Sequence, residues 1–409
     1  MNVIAIATQL WKPKKLVYNS KAVFGEKARV AAIIPTFNPD SALYRLVTAL
    51  HAYNPSMHIV VVDDCTTSKY PHNSVLNKIN NLSAKNDQIT LIHTPENKLK
   101  AAATNFGLTY IKNSQTHPDV IVTFDDDVEV EPNTIALLVK ALQENAEIGA
   151  ACSQVRVVNK NKNLLTRLQA LEYHGFNISK IADNGFIQGP LVMQGMLVAF
   201  RYSALIEVGG FTAKHLIEDY DITARLKQHG WQVMVQPGAA AWTEVPTQFG
   251  KLWRQRVRWT TGGLQVVTSH LRYIPSIIQD LIGHLSFIFM MTFITLSFML
   301  PNHQEASPLV QLLILFAIFQ FFISFVFNVF TLLVYQDADI VDWLIRLSLI
   351  PEFIYSNILS WLLIGTYSYF LYKRIVSKLL EMVPGLKKIS QASKKTFFEF
   401  GYSDTWGTR

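Results

Sequence analysis

The 409-residue chain is poor in cysteine and in charge. Cys65 and Cys152 are its only cysteines, too few for a disulfide framework or a cysteine-ligated zinc site. Only 16% of its residues are Asp, Glu, Lys or Arg, against about a quarter in ordinary soluble domains. Because half the residues are apolar, an intrinsically disordered chain is excluded. Internal repeats and low-complexity stretches are also missing. At the start, the run from Val3 to Ala7 meets Lys12, Lys14 and Lys15 only afterwards, whereas a secretory leader carries its charge first. The run is also shorter than the ~20 residues a bilayer requires. Residues 1–28 therefore read as an interfacial segment, and the body behind them as cytosolic.

What is present is an apolar, basic chain: mean hydropathy is +0.19 and net charge +7. From Lys373 to Arg409 there are eight basic residues against three acidic ones, a surplus of five directly behind an apolar segment. That is where the positive-inside rule places a cytoplasmic flank. The charge thus points to a lipid bilayer as partner and not to nucleic acid.

Two regimes follow each other along the chain. In residues 29–246, continuous β-branched runs (Val30 to Ile34, Ile59 to Val62, Val120 to Phe124) alternate with helical patterns (Ser41 to Ala52, Asn73 to Lys85, Ala101 to Lys112). Strands of that kind are buried on both faces, as in the parallel sheet of a doubly wound α/β domain. Ligands of such sheets bind beyond the carboxyl ends of the strands, and polar residues stand at those ends: Thr36 and Asn38, Asp63 and Asp64, Asp125 to Asp127. Residues 247–279 are basic and aromatic at helical spacing, which suits amphipathic helices in a membrane interface. Residues 280–372 hold candidate spans at 281–300, 309–335 and 353–372, with residues 340–350 interfacial. Residues 373–409 form the basic tail. Three full spans would leave that tail outside, so the last segment is expected to be re-entrant around Pro351.

Several constellations carry chemistry. In extended chain, residues i and i+2 share a face, so Asp125 and Asp127 are expected to converge. Two bare carboxylates so close would repel, which a divalent cation relieves; oxygen ligands suit Mg²⁺ or Mn²⁺. Read singly, Asp63 or Asp64 is explained equally well as a helix cap. Glu218 and Asp219 precede a helical stretch, where an acid caps the helix or serves as a general base. Gln255, Arg258 and Trp259 share one helix face, a set that suits a diphosphate or a sugar ring; plain membrane-surface binding is the other reading.

Taken in order, IIPTFN (33–38), VVDDC (61–65), FDDDVEVEP (124–132), IED (217–219) and QRVRW (255–259) resemble the family-2 glycosyltransferases. The closest resemblance is to the processive membrane synthases of hyaluronan, chitin, cellulose and poly-N-acetylglucosamine. The resemblance implies a Rossmann-like GT-A fold in the cytosol, followed by interfacial helices and a small α-helical transmembrane region, in an integral plasma-membrane protein. It implies a metal-dependent, inverting UDP-sugar hexosyltransferase. Thr36, Asp63 and Asp64 would hold the nucleotide, and Lys100 would lie near the diphosphate. Asp125 and Asp127 would serve the metal, Mg²⁺ or Mn²⁺, with Asp125 nearer the nucleotide. Asp219, next to Glu218, would be the general base. Gln255, Arg258 and Trp259 would hold the diphosphate and the terminal sugar of a growing glycan acceptor. Residues 163–168 and the terminal Trp406-Gly407-Thr408-Arg409 resemble hyaluronan synthases, in which Trp406 and Arg409 would gate the donor site from the cytosol. Hyaluronan is thus the first expected product, and a chitin, poly-GlcNAc or β-glucan chain the second. With so few spans, export points to a homo-oligomer or an export partner. The rival readings are a single-sugar transferase acting on a lipid or short glycan, and an inactive membrane subunit that binds nucleotide or glycan.

Overall fold

The computed structural model describes residues 28–67, 73–114, 117–270, 308–382 and 387–402, together with Leu285, Ile288, Phe289 and Thr292. Residues 1–27, the expected span 281–300 apart from those four positions, and Trp406 and Arg409 lie outside the described residues.

The first regime folds into one eight-stranded sheet in the order β3-β2-β1-β4-β7-β6-β8-β5. β1 (Val30–Thr36) and β2 (His58–Asp63) are joined through α1 (Ser41–Tyr53). α2 (Asn73–Ser83) leads to β3 (Ile89–His93), and α3 (Leu99–Lys112) to β4 (Val120–Phe124). These four strands pair in parallel, as their unbroken apolar runs predict. All seven residues of β1 are buried, and alternate side chains serve opposite faces. Ala32 and Ile34 pack with Leu43 and Leu46 of α1, while Ala31 and Ile33 pack with Ala103 and Leu108 of α3.

The other half of the sheet departs from the expected parallel order. β5 (Glu129–Val130), α4 (Thr134–Glu144), β6 (Ile148–Val157) and α5 (Leu164–Ala182) precede β7 (Leu197–Arg201), which runs antiparallel to both β4 and β6. β5 is likewise antiparallel to β8 (Gln232–Thr243). The reversal positions the site. An antiparallel strand starts where its neighbour ends, so Leu197 stands opposite Phe124 and the Asp125 amide donates to the Met196 carbonyl at 2.9 Å. Period-2 patterning does not encode strand direction, so sequence alone gives no sign of it.

α6 (Tyr202–Glu207) and α7 (Glu218–Gln228) follow β7, and α8 (Phe249–Ser269) follows β8. Beyond them lie α9 (Pro308–Leu333), α10 (Ile340–Ser348) and α11 (Ile350–Leu371). Among the described residues, no single helix is long and apolar enough to cross a membrane. α10 and the helix continuing from Ile350 to Val376 pass that test only as a pair, bent by 68°. The bend sits at Leu349, whose φ of 62° is left-handed, just ahead of Pro351. A break was expected at this place.

Salt bridges fasten these helices to the α/β domain. Asp342 of α10, fully buried, takes Lys160 at 2.6 Å and Arg167 at 2.8 Å, and Arg167 also meets Asp339 at 2.6 Å. Segment 163–168 has a structural role here: Asn163 and Thr166 form the capping box of α5, and Arg167 supplies the ion pair. Removing one partner of a buried pair leaves uncompensated charge and costs about 3 kcal/mol or more. Asp342→Ala is therefore expected to lower the thermal midpoint of the detergent-solubilised protein by several degrees. An unchanged midpoint would show that these bridges do not hold the helices in place.

Candidate active site

The acidic cluster begins where β4 stops. The chain leaves the strand at Phe124 and turns at Asp126 and Asp127, so the extended-chain argument for Asp125 and Asp127 does not operate. Asp125 instead faces Lys100, with Nζ 2.5 Å from Oδ1. Asp126 accepts from the Thr36 hydroxyl at 2.6 Å, which ties the ends of β1 and β4 together. Asp127 is half-buried and lies close enough to Tyr173 of α5 to act on its ionisation.

Asp63 and Asp64 end β2 and are both buried. Asp63 accepts from the Thr66 amide at 3.1 Å and is 2.9 Å from His93 Nδ1. Asp64 accepts from the amides of Lys98 and Leu99 and from the Thr94 hydroxyl at 3.0 Å. It thereby takes up the open N–H groups at the start of α3. Leu99 has a left-handed φ of 70°, a conformation that glycine adopts without cost and that strains a residue bearing a Cβ by about 1–2 kcal/mol.

From that helix start Lys100 reaches across the sheet edge. Its ammonium lies 2.5 Å from Asp125 and 2.7 Å from Glu218 of α7. Burial alone would lower its pKa, but the two carboxylates outweigh burial and hold it above the ordinary lysine value. Glu218 responds in the opposite sense: burial opposes ionisation, and Lys100 more than offsets it, so its pKa is lowered. Asp219, next along, is half-buried; desolvation and the neighbouring Glu218 carboxylate both raise its pKa. The two neighbouring carboxylates are thus shifted in opposite directions, the pattern that separates an acid from a base in one site.

The Asp219 side chain is held by backbone. Oδ1 accepts from the Tyr220 amide at 2.8 Å and Oδ2 from the Gly195 amide at 3.3 Å. A Cβ on Gly195 would come within 2.8 Å of Asp219 Cβ and 3.0 Å of its Oδ2, so glycine is required for the approach. Lys100, Gly195, Glu218 and Asp219 share a small cavity with Phe200 and Phe211.

α8 closes the other side. Gln255 and Trp259 are half-buried on it, and Gln255 Oε1 is a buried acceptor with no hydrogen-bond partner among the described residues. Arg258 lies near enough to Glu218 to stabilise its anion. Arg256, to which the sequence reading gave no role, is 4% exposed. It pairs with Glu172 at 2.5 Å and stacks on the Trp259 ring at 4.1 Å. Tyr355 of α11 donates to the same Glu172 oxygen at 2.7 Å. Arg256 therefore sets the position of Trp259 and joins it to the apolar helices. An arginine two residues before another on one helix gives no sequence signal of this kind. The structure thus brings Lys100, Asp125, Glu218, Asp219 and Arg258 together; Thr36 joins through Asp126 and Trp259 stands near Asp127 through Tyr173, while Asp63 and Asp64 hold the strand end and the start of α3.

A model of the family described as "Glycosyltransferase like family 2" matches residues 28–262. The chain is 29% identical over 259 residues to the "Probable glycosyltransferase YdaM" of Bacillus subtilis (strain 168), covering 60% of this chain and 58% of that protein. It is 28% identical over 184 residues to the "Poly-beta-1,6-N-acetyl-D-glucosamine synthase" of Staphylococcus aureus (strain COL), covering 45% and 43%. The matches thus span between two-fifths and three-fifths of those relatives. A solved mannosyltransferase from Pyrobaculum calidifontis, in complex with GDP-Man and Mn²⁺, superposes with a TM-score of 0.50 at 19% identity, over 65% of this chain and 70% of that one. This likeness shows a shared GT-A-type fold.

The Gly195 geometry yields a direct test. Gly195→Ala must displace Asp219 or the β7 lead-in, and misplacing a catalytic group by about 1 Å costs on the order of 10²-fold in rate. Turnover is expected to fall by that order with circular dichroism and the thermal midpoint nearly unchanged. Wild-type turnover in this variant would exclude Asp219 as a positioned base.

Proposed function

The chain belongs to glycosyltransferase-like family 2, and from that premise we propose that it transfers a hexose from a UDP-sugar to the hydroxyl of a growing glycan. The product is a β-linked polysaccharide made at a membrane. The observation that carries this reading is Asp219: a half-buried carboxylate with a raised pKa, fixed by the Gly195 amide and lining the same cavity as Lys100.

In the proposed reaction an acceptor hydroxyl approaches Asp219, which takes its proton as the oxygen attacks the anomeric carbon. The new C–O bond forms on the face opposite UDP. The bond to the diphosphate oxygen breaks, its electron pair leaves with UDP, and the configuration inverts. General-base assistance of this kind contributes about 10²–10⁴-fold. Lys100 and Arg258 supply positive charge on the leaving-group side, where it is worth most in a water-poor site. Trp259, braced by Arg256, offers an apolar face to a sugar ring, and Gln255 an unused acceptor. Thr36, Asp63 and Asp64 line the nucleotide end.

Asp125 and Asp127 offer half-buried carboxylate oxygens at one turn, the hard donor type that fits a divalent cation. They would hold Mg²⁺ or Mn²⁺, and the ion would supply counter-charge to the diphosphate.

Poly-GlcNAc and hyaluronan synthesis share UDP-GlcNAc as donor. The similarity to a poly-GlcNAc synthase supports the homopolymer. The hyaluronan reading rests on segment 163–168 and on Trp406 to Arg409; the latter lie outside the described residues, and in the former capping and ion-pair roles account for Asn163, Thr166 and Arg167 without reference to the sugar. Membrane placement is supported by the apolar surface of the later helices, where Leu315, Phe322, Ile340, Ile350 and Trp361 are each more than half exposed. A large apolar patch of that kind marks a lipid or protein contact. The basic tail and the α/β domain would then face the cytosol.

UDP release by the purified protein with Mg²⁺ or Mn²⁺, using UDP-GlcNAc, UDP-GlcA and UDP-Glc singly and in pairs, tests this. Long chains from UDP-GlcNAc alone are expected. Chains needing UDP-GlcNAc and UDP-GlcA together would make the product hyaluronan, and single-sugar products would overturn polymerisation. Asp219→Asn is expected to lose about 10²–10⁴-fold in turnover with UDP binding kept; unchanged turnover would favour a different base. The base must be ionised, so the acidic limb of the pH–rate profile should lie above the ordinary carboxylate range. Removing the adjacent negative charge with Glu218→Gln should move that limb to lower pH.

A further inference from the structure

Outside the reaction site, three side chains from separate segments converge behind the catalytic helix. His215 lies in the loop ahead of α7, Asp221 in the first turn of α7, and His270 caps the far end of α8. His215 Nε2 is 3.4 Å and His270 Nε2 3.2 Å from the same oxygen, Asp221 Oδ1. All three side chains are at most 12% exposed. The three atoms lie within 4.8 Å of one another, and the imidazole rings are tilted at 58° to each other and not stacked.

We infer that His215, Asp221 and His270 bind a first-row transition ion, Zn²⁺, with its fourth position open to water. Around tetrahedral zinc, with bonds of about 2.0–2.2 Å, neighbouring ligand atoms stand about 3.3–3.5 Å apart. One separation already has that length and a second is about 0.1 Å short of it, and the third closes by at most about 1.5 Å, within the reach of a small imidazole rotation. The surrounding groups orient the ligands. Asp221 Oδ2 is occupied by Arg225 at 2.8 Å and Thr212 at 3.0 Å, which leaves Oδ1 facing the imidazoles. Gln228 stands 2.7 Å behind His270 Nδ1. With the amide turned to accept a proton from Nδ1, the Nε2 lone pair is directed at the centre, the arrangement usual for metal-bound histidine. Two nitrogens and one oxygen favour Zn²⁺ over the Mg²⁺ or Mn²⁺ suited to the carboxylates at Asp125 and Asp127.

The ion would join the helix that begins with Glu218 and Asp219 to the helix that carries Gln255, Arg258 and Trp259. Contacts already run along the same seam. A Cβ on Gly262 of α8 would lie 2.9 Å from Ile217, and the Leu216 amide donates to Gln265 at 3.2 Å. The metal would therefore set the spacing between the base and the diphosphate-binding face without touching substrate.

The test uses the full chain in detergent, stripped with a chelator and titrated with Zn²⁺ alone against a chromophoric competitor. One zinc per chain is expected, bound equally by Asp127→Asn and lost in His215→Ala. Co²⁺ in the wild type should give the visible absorption of a four-coordinate site, absent in that variant. Because the alanine variant can fail to fold, His270→Gln, which keeps a hydrogen-bonding group toward Asp221, serves beside it. It should match the wild-type thermal midpoint without metal and lack the zinc-induced rise. No zinc bound by the wild type, or a stoichiometry and thermal shift unaltered by both substitutions, would overturn the inference.

Discussion

One ammonium group sets the electrostatics of the reaction edge. Lys100 lies between Asp125, where β4 ends, and Glu218, where α7 begins. Without it, Asp125, Glu218 and Asp219 would crowd a site poor in water, and like charges in such a place cannot all ionise. With it, Glu218 is fixed as an anion, and that anion together with burial raises Asp219. Asp219 thus owes part of its raised pKa to the Lys100–Glu218 pair beside it. The reach of Lys100 is itself fixed by Asp64, whose carboxylate holds the amides that open α3.

A second constraint is that α8 serves two structures at once. Gln255, Arg258 and Trp259 serve the site. Arg256 is turned into protein, where Glu172 of α5 and Tyr355 of α11 receive it. The same helix meets α11 again through Thr260 and Thr366 at 2.8 Å. Together with the Asp342 salt bridges, these contacts bind the apolar helices to the domain that carries the chemistry. A shift of α11 would act through Glu172 and Arg256 on the ring of Trp259. The sheet edge and the apolar helices are in this sense mechanically one unit.

Much of this was legible in the residues. Unbroken β-branched runs located β1, β2 and β4, and helical spacing located α1, α2, α3 and α8. Polar residues directly behind the runs located the reaction edge, because a strand buried on both faces can end in charge only where the sheet meets solvent or ligand. Other features were not legible. The alternation argument failed at Asp125 and Asp127 because the strand stops one residue earlier. Arg256 has the same composition and helix as Arg258, and only the packing of α5 distinguishes their roles. Leu99 gives no sign in the sequence of the left-handed backbone it adopts in the fold, a conformation that suits glycine.

The sequence by itself determined the α/β domain, its order of strands and helices over the first half, and the residue types gathered at its edge. Those follow from local periodicity and from the cost of burying charge. Tertiary structure alone decided the antiparallel course of β7, which sets Gly195 beside Asp219 and the β7 lead-in beside Asp125. It also shifted Glu218 and Asp219 in opposite directions, and it brought His215 and His270 to one oxygen of Asp221. Strand direction, pKa and convergence of distant side chains depend on distances across the fold, and no local pattern in a chain specifies those.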